Sequence, residues 1–85
     1  LGLTGQIDHR NFNFKLFPNP TIGKFLLNFN DNNIHTVQIF DGRGKLIITK
    51  QNQFIKSDFD LSEFSSGTYT IKVIPENITY QIIKN

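Results

Sequence analysis

The sequence predicts an all-β fold, an antiparallel sandwich of about seven short strands. Three observations carry this prediction. Apolar residues alternate with polar ones in run after run, which is typical of strands with one buried face. Turn residues recur at intervals of roughly eight to twelve positions, as in other sandwiches. No stretch has the period of an amphipathic helix. The 85 residues are enough for one domain.

The clearest pattern is a β-hairpin in the middle of the chain. Val37 and Ile39 alternate with polar neighbours, the segment Asp41-Gly42-Arg43-Gly44 interrupts the apolar run, and residues 46–49 resume it. Asp41 suits the first position of a type I turn, because its carboxylate can accept hydrogen bonds from amides just ahead. Gly44 stands where such hairpins need a left-handed residue that closes a bulge. We therefore predict positive φ at Gly44.

The other strands lie on both sides of this hairpin. We expect a linker from a preceding domain over residues 1–12 and the domain itself over residues 13–85, with apolar alternation from Phe12 onward. The predicted strands cover residues 12–16, 24–29, 34–40, 46–49, 54–61, 68–74 and 78–83. Polar turns are expected at residues 30–33 and 50–53, and the strand that begins at Phe54 is expected at a sheet edge.

A second local signal narrows the fold class. Tyr69 follows Gly67 by two positions and enters a strand from a crossover segment, residues 62–67. This placement suits a tyrosine corner, in which the hydroxyl bonds main chain a few residues upstream. The sequence thus predicts an immunoglobulin-like sandwich. Its expected buried residues are Val37, Ile39, Tyr69, Ile71 and Val73.

Composition argues against several classes of function. Nine basic and seven acidic residues are scattered along the chain, whereas nucleic-acid binders concentrate basic charge, so no nucleic-acid partner is predicted. Without cysteine, neither a disulfide framework nor a thiolate metal site is available. No apolar run approaches the ~20 residues of a membrane span. We predict no cofactor and no metal. Because no methionine opens the chain, we expect a piece of a longer protein.

Signals of catalysis are weak, and no catalytic residue is predicted. His9 and His35 lack a partnering motif, so surface positions are the simpler interpretation. Asp58 and Asp60 project to the same side of a strand, which a solvated face explains better than acid–base chemistry. Asp31 lies among asparagines without the spacing of a calcium loop, which favours a polar turn.

The turn motifs, taken in order, resemble one known family. The segments that carry the resemblance are Phe17-Pro18-Asn19-Pro20-Thr21, Gly23-Lys24, Val37-x-Ile39-Phe40-Asp41, Gly44-Lys45, Leu61-Ser62, Gly67-x-Tyr69, Lys72-Val73 and Ile82-Ile83-Lys84. In this order the chain resembles the C-terminal sorting domain (type A) of proteins exported by the type IX, or Por, secretion system of Gram-negative bacteria. The resemblance runs from about Phe14 to the last residue. The family's sandwich of seven strands agrees with the fold predicted above.

The resemblance implies that the domain is a secretion signal and not an enzyme. Its partners would be an N-terminally attached cargo domain, the outer-membrane export machinery and a sortase-like surface protease that usually removes the domain. The cargo would pass through the periplasm and outer membrane to the cell surface or the medium. The sorting motif candidates are Pro18, Asn19, Pro20, Gly44, Lys45, Gly67, Tyr69, Ile82, Ile83 and Lys84.

Turn geometry and a corner bond already explain the glycines and Tyr69 among these candidates. Lys45 and the segment Ile82-Ile83-Lys84 are therefore the candidates for direct recognition. Strand addition to the final edge strand is a further possibility.

A different class of function remains open. An immunoglobulin-like or fibronectin-like module can serve as an adhesive or carbohydrate-binding appendage. Exposed aromatic side chains would form a sugar platform in that case, and Phe54, Phe59 or Phe64 are its possible members.

Overall fold

The computed structural model describes residues 14–85, which form seven β-strands and no helix. The strands are β1 (Lys15–Phe17), β2 (Lys24–Asn28), β3 (Ile34–Phe40), β4 (Leu46–Phe54), β5 (Lys56–Asp60), β6 (Gly67–Ile74) and β7 (Ile78–Lys84). The predicted all-β fold is confirmed. The expected linker over residues 1–12, with His9, lies outside the described residues.

The strands form two antiparallel sheets that face each other across one core. β1, β2 and β5 pair in one sheet, and β4, β3, β6 and β7 pair in the other. The only ladder pair that joins the two sheets within residues 14–85 is Phe54 with Lys56, at the turn from β4 to β5. β5 is therefore an edge strand apart from this junction, as expected. This arrangement is the predicted immunoglobulin-like sandwich.

The core is built from alternate residues of both sheets. Phe25, Leu27 and Phe59 come from the three-stranded sheet, and the aromatic rings of Phe25 and Phe59 stack at 5.2 Å. The other sheet contributes the five residues expected to be buried, and all five are: Val37, Ile39, Tyr69, Ile71 and Val73. Burial of these side chains is the main source of stability in a domain of this size.

The central hairpin turns as its sequence predicts. The Gly44 amide donates to the Asp41 carbonyl at 2.9 Å, and the Asp41 amide donates to the Lys45 carbonyl at 2.9 Å. Gly44 has φ of 87°, which confirms the predicted left-handed residue. The Asp41 carboxylate accepts hydrogen bonds from the amides of Arg43 and Lys45.

The predicted polar turn over residues 50–53 is wrong, because these residues continue β4 as far as Phe54. Two of the polar side chains have partners that make the longer strand favourable. The Lys50 ammonium donates to the Asp58 carbonyl and lies 4.8 Å from the centre of the Phe59 ring. Ser57 donates to the side-chain carbonyl of Gln53. The chain turns instead at Ile55, with φ of 68°.

His35 is buried, so its predicted surface position is wrong. Its side chain stacks on Phe29 at 4.3 Å, and its ring nitrogens lie 2.9 Å from Glu76 Oε1 and 3.0 Å from Asp31 Oδ1. Asp31 belongs to the β2–β3 loop and Glu76 to the β6–β7 turn. The two carboxylates thus allow a polar ring to lie in the core with both nitrogens bonded.

Candidate functional site

The last strand, β7, is held from its outer side by the side chain of Asn19. The Asn19 amide nitrogen donates to the Gln81 carbonyl at 3.0 Å, and its oxygen accepts from the Ile83 amide at 3.0 Å. Asn19 stands between Pro18 and Pro20, which have no amide hydrogen and could not extend a ladder. The carboxamide of Asn19 therefore takes the place of a neighbouring strand's main chain.

Thr21 continues this contact with its own main chain. Its amide donates to the Ile83 carbonyl at 2.8 Å, and its carbonyl accepts from the Asn85 amide at 2.9 Å. The side chain is buried, and its hydroxyl donates to the Lys24 carbonyl while accepting from the Gly23 amide. We call the segment Asn19–Thr21 the clamp. It satisfies four main-chain groups, three in the C-terminal half of β7 and the Asn85 amide just after it.

Lys84 links β7 to the crossover between β5 and β6. Its ammonium donates to the Phe64 carbonyl at 2.9 Å. Of the two preceding residues, Ile82 is fully buried in the core, whereas Ile83 is 47% exposed on the outer face of the sheet. Among the predicted terminal candidates, Ile83 therefore has the most accessible side chain.

The predicted tyrosine corner is confirmed. The buried Tyr69 donates its hydroxyl hydrogen to the Ser65 carbonyl, four residues upstream. Tyr69 pairs with Ile82 across the β6–β7 ladder, and Gly67 pairs with Lys84. The corner and the terminal strand therefore position each other.

A close approach between Gly23 and Ser62 holds the crossover against the turn that follows the clamp. A β-carbon at Gly23 would lie 2.5 Å from Ser62 Oγ and 3.3 Å from Ser62 Cα. The Gly23 carbonyl also accepts from the Leu61 amide at 2.8 Å. Hydrogen bonds from the Ser62 hydroxyl and amide hold the pKa of Asp60 below its ordinary value. Gly23 is thus required by packing, a role that its place in a turn motif did not reveal.

A polar cleft separates the hairpin turn from the crossover, and we call it the corner cleft. Its volume is about 350 Å³. The lining residues are Asp41, Gly42, Arg43, Lys45, Ser65, Ser66, Gly67, Thr68 and Tyr69. Hydrogen bonds from the Lys45 and Arg43 amides hold the pKa of Asp41 below its ordinary value. The Asp41 carboxylate is therefore ionised and is directed to its own turn.

The structure brings most of the sequence-predicted site residues to one region around the crossover. Asn19 contacts β7 through its side chain, and Gly67 and Tyr69 pair with β7 in the ladder. Lys84, within β7, donates a hydrogen bond to the crossover. Lys45, with Gly67 and Tyr69, lines the corner cleft. Pro18 and Pro20 are exposed and flank Asn19. As prolines they have no amide hydrogen to donate to β7.

Sequence reasoning gave no role in this region to Thr21 or Phe64, and it did not name Ser65, although the predicted corner bond reaches the main chain of that residue. The motifs contained or bordered them, but their roles depend on main-chain groups, which a sequence pattern does not show.

A larger groove, of about 720 Å³, lies on the three-stranded sheet. It is lined by Phe17, Pro18, Lys24, Phe25, Leu26, Lys50, Lys56, Asp58, Phe59 and Asp60. Phe25 and Phe59 are each only 4% exposed, so the exposed aromatic surface of this groove comes from Phe17, which is 47% exposed. Over residues 14–85 no cluster of three potential metal ligands occurs. The same part of the chain holds no helix with the length and hydropathy of a membrane span.

The fold and the clamped terminal strand define a class of protein. It is an immunoglobulin-like sandwich in which residues of several sequence motifs contact the last strand. The family model of the secretion system C-terminal sorting domain matches residues 15–85. The chain belongs to this family, the sorting signals of type IX secretion, which is not an enzyme family. No curated protein matches the chain in sequence.

Proposed function

We propose that this domain directs an N-terminally attached cargo protein across the outer membrane through the type IX secretion system. The outer-membrane export machinery binds the folded domain, and a sortase-like surface protease then removes it. The cargo reaches the cell surface or the medium by way of the periplasm. Family membership is the observation that carries this proposal.

The geometry of the last strand supports the same function. Asn19, Thr21 and Lys84 hold β7 through hydrogen bonds that do not belong to the β6–β7 ladder. The buried Ile82 fixes the strand to the core, and Ile83 faces outward. A partner that binds the terminal segment therefore binds a preformed surface, and little free energy is lost in ordering it.

The mode of recognition follows from which groups of β7 are free. Strand addition would need unpaired main-chain groups on the outer edge. The clamp already bonds four of these groups. They are the Gln81 carbonyl, the amide and carbonyl of Ile83, and the Asn85 amide. Recognition of the C-terminal half of β7 is therefore proposed to use outward side chains, Ile83 above all.

The adhesive alternative draws no support from the aromatic residues expected to form a sugar platform. Phe59 is buried, and Phe64 is partly buried against the core. Phe54 alone is substantially exposed, at 48%. A single exposed ring among these three residues does not make a stacking platform.

The experiment fuses the 85-residue chain to the C-terminus of a periplasmic reporter that the host does not otherwise secrete. The host is a bacterium with type IX machinery, and an isogenic strain without the translocon is the control. We expect reporter at the surface or in the medium of the first strain and periplasmic reporter in the second. Reporter that stays in the periplasm of both strains would contradict the proposal.

A further inference from the structure

Within the described residues, two cations face the corner cleft without an ion-pair partner. Arg43 and Lys45 both line it, and among residues 14–85 the ion pairs within 4 Å are those of His35 with Asp31 and Glu76. The turn uses the main-chain amides of Arg43 and Lys45 and leaves their side chains exposed. Neither cation is thus needed to form the hairpin.

The remaining polar groups of the cleft complement these cations. Ser65, Ser66 and Thr68 are exposed and supply hydroxyl groups on the facing wall. Asp41 is the only carboxylate among the lining residues, and its oxygen already accepts two turn amides. Two cations and one carboxylate leave the lining with a net positive charge.

The walls of the cleft are rigid, which a recognition site requires. On one side the hairpin turn is fixed by the Gly44–Asp41 and Asp41–Lys45 hydrogen bonds. On the other side the bond from Tyr69 to the Ser65 carbonyl fixes the crossover. The two walls lie close at Gly42, where a β-carbon would be in ordinary van der Waals contact with the Thr68 carbonyl oxygen, at 3.6 Å.

We propose that the corner cleft binds a carboxylate group of a protein partner, presented by an acidic side chain and held by Arg43, Lys45 and the facing hydroxyls. A guanidinium and an ammonium give charge-assisted hydrogen bonds to such a group, with hydroxyls completing its coordination. This inference rests on the proposed function, because it supplies the chemistry of the surface that the export machinery would present. It assigns recognition roles to the Arg43 and Lys45 side chains.

The first test removes the charges and leaves the turn intact. Arg43→Gln, Lys45→Gln and the double variant are compared in the reporter fusion with Lys56→Gln, an exposed lysine at the start of β5. Lys56→Gln removes one positive charge, as each single variant does, and lies outside the corner cleft. We expect the double variant to lower surface export about tenfold, the factor expected when a charge-assisted contact is lost. Lys56→Gln should export like the unsubstituted chain.

The controls separate this inference from the proposed function. If the unsubstituted chain is not exported, the proposed function fails first. If the unsubstituted chain is exported and the double variant is exported equally well, the cleft inference is overturned. A thermal melt of each variant establishes that the sandwich is intact, so a loss of export cannot be mistaken for unfolding.

The second test needs no export. The ¹⁵N-labelled 85-residue chain is titrated with a hexaglutamate peptide and, separately, with inorganic phosphate. We expect saturable peptide-induced shifts of the amides around Arg43, Lys45 and Ser66, reduced by added salt and lost in the double variant. Shifts spread over the whole surface would overturn the inference. Equal or stronger effects of phosphate would overturn the assignment of a protein carboxylate and favour a phosphate-bearing lipid.

Discussion

The Asn19 carboxamide oxygen accepts a hydrogen bond from the Ile83 amide at 3.0 Å, which joins the first turn of the described chain to its last strand. The same side chain donates to the Gln81 carbonyl, so one residue bridges two main-chain groups of β7. In an asparagine the donor and acceptor lie side by side, as they do on the edge of a strand. An aspartate has the same shape but lacks the donor.

Asn19→Asp should therefore destabilise the domain more than its exposed position suggests. The substitution removes one hydrogen bond and places a carboxylate oxygen against the Gln81 carbonyl, with an expected cost of about 1–2 kcal/mol. Chemical denaturation would measure the change in free energy of unfolding. Gln81→Ala is the control, because it keeps the main-chain carbonyl and should cost little. Equal stabilities of Asn19→Asp and Gln81→Ala would contradict the bridging role.

Tyr69→Phe tests the corner. It removes the hydrogen bond to the Ser65 carbonyl and keeps the buried ring, so we expect the fold to persist with a loss of about 1 kcal/mol. Urea unfolding compares this variant with Tyr80→Phe, which changes a half-buried tyrosine outside the corner. Coincident unfolding curves for Tyr69→Phe and the unsubstituted chain would mean that the hydroxyl contributes nothing.

Gly44→Val should cost more than ~1 kcal/mol through the backbone alone, because a β-branched residue is poorly suited to φ of 87°. Nothing lies within 4 Å of the position of its β-carbon, so a clash at that atom makes no contribution. Gly44→Asn should cost less, since asparagine tolerates the left-handed region better. Thermal unfolding of the two variants would rank them. The reverse ranking would rule out this account of the turn.

Asp31 should contribute to acid unfolding. Burial by itself raises the pKa of Asp31, but the hydrogen bonds with His35 and with the Asn33 amide outweigh it and leave the pKa below the ordinary 3.8. A carboxyl with a depressed folded-state pKa stabilises the fold above its unfolded pKa. That contribution is lost as pH falls through the folded-state value, below about 4.

Asp31→Asn should accordingly lower the stability at neutral pH and lose less stability on acidification. Urea titrations at neutral pH and near pH 3 would measure both effects. Asp58→Asn, which removes an exposed carboxylate from β5, is the control. If the two variants respond to acid in the same way, the pairing of Asp31 with His35 does not stabilise the fold.

Local signals predicted much of this molecule. The positive φ of Gly44 depends on a turn of four residues, and the Tyr69 bond reaches only to Ser65. Alternation alone was enough to predict the burial of Val37 and Val73. These features could be recognised because their physical causes lie within a few positions of the chain.

The features that escaped prediction depend on residues distant in sequence. His35 is buried because Glu76, from another turn, provides a partner for its ring. Lys50 belongs to a strand because its ammonium meets β5 and the Phe59 ring. Asn19 stood in a recognised motif, but its bonds to β7 could not be inferred before the register of the sandwich was known.

The parallel contact between Thr21 and β7 also has a mechanical consequence. A pull applied between residue 14 and residue 85 draws two parallel segments in opposite directions along their length. The hydrogen bonds of Asn19 and Thr21 with β7 then resist in shear and must break together, whereas a peeling force would break them one at a time. When the N-terminal side is pulled while the last strand is held, this contact is loaded in shear together with the β1–β2 ladder and the buried Phe14.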